Sequence, residues 1–107
     1  MEKKEKMEKK NKVYFTVTGL FRISNTEFLE KDMPVTLVKE PDNKYDNEAI
    51  MVKIEGIGQI GYVANSVHTV VGDEAYSAGR LYDKIGDEAT AKVAYNMGDA
   101  VQCWIEV

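Results

Sequence analysis

Hydrophobic residues in this chain recur mainly at every second position, which is the spacing of a β-strand with one buried face. Val13, Phe15 and Val17 share one side of the first such segment. A second segment, residues 35–38, is rich in β-branched side chains and follows Pro34, a residue tolerated at the first position of a strand. Both segments are therefore predicted to be strands.

Turn residues separate the later strands from one another. Residues 41–43, Pro-Asp-Asn, end the second strand, and Gly56 and Gly58 lie between two further alternating segments. These glycines predict a tight turn between antiparallel strands. Residues 89–95 and 100–105 flank a second turn, so the chain is predicted to end in a hairpin.

Helical character is confined to one connection. Asn65 or Ser66 can accept amide protons at a helix start, and the chain from there to about Ala78 predicts one or two short helices. Six short strands with turn signals about every 8 to 12 residues indicate a small barrel or sandwich. A parallel α/β architecture needs long crossovers between successive strands, and one connection alone is long enough.

The chain divides by composition into an arm and one domain. Residues 1–12 contain six Lys and three Glu, a net charge of +3, and are predicted to form a flexible N-terminal arm. Residues 13–107 have the length of a single domain and carry a net charge of −7. This acidic balance argues against the coating of duplex DNA by a broad basic face, although a small phosphate site remains open.

The expected location is the cytoplasm. No apolar run approaches the roughly 18 residues of a membrane span. The first residues, Met-Glu-Lys-Lys-Glu-Lys, are charged where a secretory signal needs an apolar segment.

The residue types that carry most catalysis and metal binding are scarce. Cys103 and His68 are the chain's one cysteine and one histidine, so neither an intrachain disulfide nor an ordinary Cys/His zinc site can form. Cys103 lies on an alternating apolar face and is predicted to be a buried structural thiol. Without a nucleophile paired to a base, we expect a protein that is not an enzyme and has no cofactor or metal.

Two motif matches are rejected on spacing. Gly56, Gly58 and Gly61 match a dinucleotide-binding fingerprint, but they lie between alternating strands and no helix follows at once, so they favour a hairpin. A calcium loop starting at Asp42 would place Lys44 at loop position three, which should carry an oxygen ligand, so a calcium loop is not expected here.

The most informative segment is residues 37–52, Leu-Val-Lys-Glu-Pro-Asp-Asn-Lys-Tyr-Asp-Asn-Glu-Ala-Ile-Met-Val. Its Pro, Asp and Asn residues favour a stiff polar turn that projects Tyr45 beside Asp46. An unpaired base can stack on such a ring, and the acceptor beside it can receive a hydrogen bond from a sugar hydroxyl. In the alternative interpretation, Asp46 only caps the turn and Tyr45 only packs on it.

Together with residues 58–63, Gly-Gln-Ile-Gly-Tyr-Val, this segment resembles the HIRAN domain family. Members of that family carry Glu-Pro-x-Asn-x-Tyr-Asp-x-x-Ala-Ile-x-Val, then a strand with Ile-Gly-Tyr-Val, then a short helix. With residues 18–20, Thr-Gly-Leu, the resemblance covers roughly residues 13–107, a HIRAN-like domain of the small standalone bacterial type. The resemblance implies an all-β fold with short helices (β-rich α+β), a six-stranded OB-like or SH3-like barrel with one or two short helices after the fourth strand.

The resemblance also implies a noncatalytic nucleic-acid-binding module that recognises the 3′ ends of single-stranded DNA in repair or replication-associated processes. Tyr45 would stack on the terminal base and Asp46 would accept a hydrogen bond from the 3′-hydroxyl. Asn43, Lys44 and Tyr62 would shape the pocket.

The chain departs from the DNA-binding members at their basic positions. Their basic-aromatic pair in the first strand falls on Phe15 and Thr16, so Phe15 is the candidate contact there and the basic contact is lost. Their histidine and lysine of the fourth-strand region fall on Tyr62 and Asn65. Lys44, Arg22 and the arm remain as candidates for phosphate contact.

These departures keep a second function open. In that alternative the domain is a protein-interaction module, whose acidic surface or exposed strand edge docks a DNA-processing partner such as a helicase or nuclease.

Overall fold

Strands dominate the described part of the chain, which comprises residues 12–18, 28–64, 75–98 and 100–107 of the computed structural model. The elements are β1 (Lys12–Thr18), β2 (Pro34–Glu40), β3 (Ala49–Ile54), β4 (Gly58–Val63), β5 (Ala75–Tyr76), α1 (Ala78–Tyr82), β6 (Glu88–Asn96) and β7 (Val101–Glu106). Lys12, assigned by sequence to the arm, already lies in β1. Residues 1–11, Arg22 and His68 lie outside the described residues.

Six of the strands form a closed antiparallel barrel in the order β4-β3-β2-β6-β7-β1, and β1 pairs back to β4. The closure consists of the pairs Val17 with Val63 and Thr18 with Tyr62. The predicted six-stranded barrel is therefore confirmed.

The two-residue strand β5 is an addition that the sequence did not indicate. It runs parallel to β1 and pairs with Tyr14 and Phe15, on the edge of β1 that pairs with β4 further along. The N-terminal part of that edge is thereby covered.

The core fills the barrel with the side chains that the alternation assigned to one face. Val13, Phe15 and Val17 point inward from β1, and Cys103 does so from β7. The other strands contribute similar apolar residues, namely Val35, Leu37, Ile50, Val52, Ile54, Ile60, Val63, Ala91, Val93, Val101 and Ile105. Cys103 is fully buried, which confirms the prediction of a structural thiol.

The glycines between β3 and β4 form a hairpin turn, as predicted. Gly56 and Gly58 have φ of 88° and 101°, in a region that glycine adopts without steric cost. The amide of Ile57 donates to the carbonyl of Ile54 at 2.9 Å. A register shift follows in β3 and β4, and Ile60 is the extra residue of the bulge.

One short helix, α1, occurs in the described residues, and it begins where the predicted helical segment ends. Ser77 is its N-cap and accepts from the amide of Arg80, while Ala78 and Leu81 are buried. The caps predicted at Asn65 and Ser66 lie outside the described residues. No helix in those residues is long and apolar enough to cross a membrane.

Candidate nucleic-acid interface

The turn between β2 and β3 is held by the side chain of Asn43. Its Oδ1 accepts hydrogen bonds from the amides of Tyr45 at 2.9 Å and Asp46 at 3.1 Å. The amide of Asn43 donates to the carbonyl of Glu40 at 3.0 Å, which begins the turn. The expectation of a turn braced by its own polar side chains is confirmed.

Asp46 caps the end of the same turn. Its Oδ1 accepts from the amide of Glu48 at 2.9 Å, and its carbonyl accepts from the amide of Ala49 at 3.1 Å. The capping role weighed for Asp46 is therefore present. An ionised carboxylate can accept about four hydrogen bonds, so capping and ligand recognition are compatible in one side chain.

Tyr45 projects from the turn into solvent. The residue is 93% exposed, although the backbone that carries it is fixed by Asn43. The alternative in which Tyr45 only packs on the turn is therefore wrong. Because the backbone at Tyr45 is already fixed, little backbone entropy is lost when a ligand stacks on the ring.

A second tyrosine is tied to the turn through Glu40, the last residue of β2. The hydroxyl of Tyr62 donates to Glu40 Oε1 at 2.7 Å, and Asn43 Nδ2 donates to the same oxygen at 3.0 Å. Glu40 thus joins β4 to the turn. The sequence motif contains Glu40 but does not indicate its role, because its partner Tyr62 is 22 residues away.

These side chains surround an open cleft of about 390 Å³, lined by Asn43, Tyr45, Asp46, Ala49, Tyr62 and Val63. Four of the predicted contact residues therefore meet at one place. Lys44 is exposed in the same turn but does not line the cleft. The cleft combines two aromatic side chains with one carboxylate and one amide, a set suited to a base and a hydroxyl donor.

The prediction that Phe15 contacts nucleic acid is wrong. Its side chain is 0% exposed, because Phe15 lies on the inward face of β1 with Val13 and Val17. The alternation that identified this strand already placed Phe15 in the core. Asn65 and Arg22 lie outside the described residues.

Cys103 is the one described thiol, and its surroundings make it unreactive. Burial raises the pKa of Cys103 to about 12, because the interior disfavours the thiolate. The thiolate is the nucleophilic form. Among the described residues, no group of three or more His, Cys, Asp or Glu side chains is placed to hold a metal ion.

Comparison with known proteins identifies relatives of this architecture. The family model of the HIRAN domain matches residues 10–107. The crystal structure of the HIRAN domain of human HLTF superimposes with a TM-score of 0.64 and 19% sequence identity, over 90% of this chain and 74% of that one. At this identity the likeness concerns the fold. No curated protein sequence matches the chain.

Proposed function

Because the chain belongs to the HIRAN domain family, a family of DNA-binding modules, we propose that it is a noncatalytic module that binds the 3′ end of single-stranded DNA. The proposal includes a role in DNA repair or in replication-associated processes. The observation that carries it is the exposed ring of Tyr45, held beside Asp46 at the mouth of the cleft.

Tyr45 supplies the stacking surface. Base stacking on an aromatic side chain is worth about 1 to 3 kcal/mol and tolerates any base. A ring this exposed stabilises the free protein little, so its contribution is available for binding. Tyr62 lines the same cleft, and its orientation is set by the hydrogen bond to Glu40.

Asp46 distinguishes a 3′-hydroxyl from a 3′-phosphate at the end of the DNA strand. A 3′-hydroxyl donates a hydrogen bond to a carboxylate, whereas a 3′-phosphate is repelled by it. Lys44, exposed in the same turn, supplies a cation for the phosphate on the 5′ side of the terminal nucleotide. Since residues 13–107 carry −7, we expect weaker binding than a basic domain would achieve.

Binding without catalysis agrees with the state of the one thiol. Cys103 is buried and its pKa is raised to about 12, so it does not supply a nucleophile at neutral pH.

Fluorescence anisotropy with labelled oligonucleotides tests the proposal. At low salt, oligonucleotides ending in a 3′-hydroxyl should bind more tightly than the same sequences ending in a 3′-phosphate. Tyr45→Ala should weaken binding of the hydroxyl end about fivefold or more, the lower bound of base stacking. Asp46→Asn should reduce the preference for hydroxyl over phosphate, because the amide carries no charge.

Tyr95→Ala is the matched control, since Tyr95 is 62% exposed and lies outside the cleft. It should leave oligonucleotide affinity unchanged. Equal binding of both ends, or unchanged affinity after Tyr45→Ala, would contradict recognition of the strand terminus. Melting curves establish that each variant is folded.

The exposure of Tyr95 favours a second candidate function, docking of a DNA-processing protein. Tyr95 borders an open cavity of about 590 Å³ together with Leu29 and Asn96. Each of the six barrel strands pairs on both sides, so docking would use this surface or the acidic exterior rather than a barrel-strand edge. In a pull-down, Tyr95→Ala should abolish capture of such a partner, whereas Tyr45→Ala should not.

A further inference from the structure

A row of basic and aromatic side chains crosses the outer face of three neighbouring strands. Lys92 of β6 is the register partner of Trp104 of β7, and Trp104 is the partner of Tyr14 of β1. Lys12 precedes Tyr14 by two residues and therefore lies on the same face of β1. We call these four residues the basic-aromatic row.

Both cations of the row lie close to aromatic rings. Lys12 Nζ is 4.2 Å from the ring centre of Trp104 and 5.9 Å from that of Tyr14. Lys92 Nζ is 5.8 Å from the ring centre of Trp104. The two lysines are exposed and the two rings half-buried. Part of each ring therefore remains accessible, with positive charge beside it.

The row borders an opening between β6 and β7. The pairing of these strands runs from Lys92 with Trp104 to Asn96 with Val101. Beyond Lys92, the preceding residues of β6 pair with β2. A cavity of about 360 Å³ lies at this point, lined by residues 89–92 and 104–106. Its volume is within the range of small-molecule sites, about 300 to 1,000 Å³.

The local charge is opposite to that of the domain. Among the described residues of the row and their register partners, Lys12 and Lys92 carry positive charge and Glu106, the register partner of Lys12, carries negative charge. By contrast, residues 13–107 carry −7 in total. Cations beside partly accessible rings match a ligand that is both planar and anionic.

We infer that the basic-aromatic row is a second contact surface for single-stranded DNA, on which a base stacks against Trp104 while Lys12 and Lys92 contact the flanking phosphates. The choice of ligand rests on the proposed function. The register of β1 supports it, because Val63, which lines the cleft, pairs with Val17, and Tyr14 of the row lies three residues before Val17 on the same strand. A strand longer than the cleft can therefore extend toward the row.

The fluorescence of Trp104, the chain's one tryptophan, reports on this surface directly. Thymidine oligomers of about four and about twelve nucleotides cover the lengths bound by related barrels. Each is titrated with a 3′-hydroxyl and with a 3′-phosphate. We expect the longer oligomer to quench the emission of Trp104 and the shorter hydroxyl-ended one to bind with little quenching.

Substitutions separate the two surfaces. Trp104→Leu should weaken binding of the longer oligomer about tenfold, within the range of base stacking, and leave the shorter one unchanged. Trp104→Phe should restore most of the loss, because it keeps a ring. Lys12→Gln and Lys92→Gln should each reduce the slope of log K against log salt by about 0.7. Lys84→Gln, an exposed lysine outside the row, is the control.

The outcomes distinguish this inference from the proposed function. Absence of quenching by the longer oligomer would overturn the inference, whatever the comparison of hydroxyl and phosphate ends shows. If the longer oligomer quenches Trp104 while hydroxyl-ended and phosphate-ended oligomers bind equally, recognition of the 3′ end is overturned and DNA contact at the basic-aromatic row is supported. If Trp104→Leu does not fold, quenching of Trp104 in the unaltered protein decides whether the row contacts DNA. If a protein from the cell quenches Trp104 and DNA does not, the row is a protein-docking surface and the inference fails.

Discussion

One amide side chain organises the candidate site at the scale of the residue. Asn43 accepts from two amides of its own turn and donates to Glu40. The sequence predicted the first part, because an Asn within a Pro-Asp-Asn turn bonds to amides a few residues ahead. It did not predict the second part. The convergence of Asn43 and Tyr62 on Glu40 depends on β2 and β4 being brought together by the barrel.

Asn43→Ala should lower the free energy of unfolding by about 1 to 3 kcal/mol, because two amides lose their acceptor. Oligonucleotide binding should fall as well, since Tyr45 and Asp46 lose the bond that fixes their backbone. Chemical denaturation and anisotropy measure the two effects. Asn47→Ala, an exposed neighbour, should change stability by less than about 0.5 kcal/mol. Equal effects of the two variants would contradict the bracing role.

The thiol of Cys103 makes stability depend on pH in alkaline solution. Its pKa is raised from 9.0 to about 12 by burial, so between these values the unfolded chain loses a proton that the folded chain retains. The contribution of Cys103 to the free energy of unfolding is fully present below pH 9.0 and decreases as the pH rises toward about 12. Between these two pKa values, the free energy of unfolding is expected to fall by about 1.4 kcal/mol per pH unit.

Denaturant melts at increasing pH, compared with the same series for Cys103→Ala, isolate this contribution. The variant should be less stable at neutral pH and should show a shallower alkaline decline. Parallel pH profiles would contradict the effect of burial on the thiol.

Elements were predictable from sequence wherever a local pattern specifies them. The alternation of Val13, Phe15 and Val17 and the glycines of the β3–β4 turn gave strands and a hairpin that the structure confirms. The bulge at Ile60 and the strand β5 were not predictable, because each depends on which strand lies alongside. The error at Phe15 has a different cause, because the local alternation already places this side chain in the core, where the family's contact position does not apply.

Gly56→Ala should destabilise the domain by about 1 to 2 kcal/mol. Gly56 has φ of 88°, and an added Cβ would meet no atom within 4 Å, so the cost comes from the backbone alone. Gly86→Ala is a matched control, because Gly86 lacks a positive φ and its added Cβ would lie 4.0 Å from the carbonyl oxygen of Glu88. Thermal unfolding compares the two. A similar loss at both positions would show that the turn conformation is not the cause.

At the scale of the whole molecule, the barrel closes unevenly. β1 pairs with β7 from Lys12 to Val17, but with β4 through two residue pairs. The amide of Ala64 extends this short contact by donating to the carbonyl of Thr16 at 2.7 Å. Local openings begin where few hydrogen bonds and contacts must break, so the β1–β4 contact is expected to open first.

Native-state hydrogen exchange tests this expectation. The amide of Ala64 should exchange at a lower opening free energy than backbone amides in the central ladder of β2 and β3, which pairs five residues from each strand. The central amides should exchange near the global free energy of unfolding. Equal opening energies would show that the barrel opens in one step.

Tyr62 belongs at once to the short closing contact, as the partner of Thr18, and to the wall of the cleft. A ligand that requires this wall in place binds the closed form and not the opened one, so by mass action it stabilises closure. Melting temperature should therefore rise with oligonucleotide concentration, and exchange at Ala64 should slow. Binding of a DNA 3′ end can therefore be measured as a rise in the melting temperature of the barrel, with no label on the protein or on the DNA.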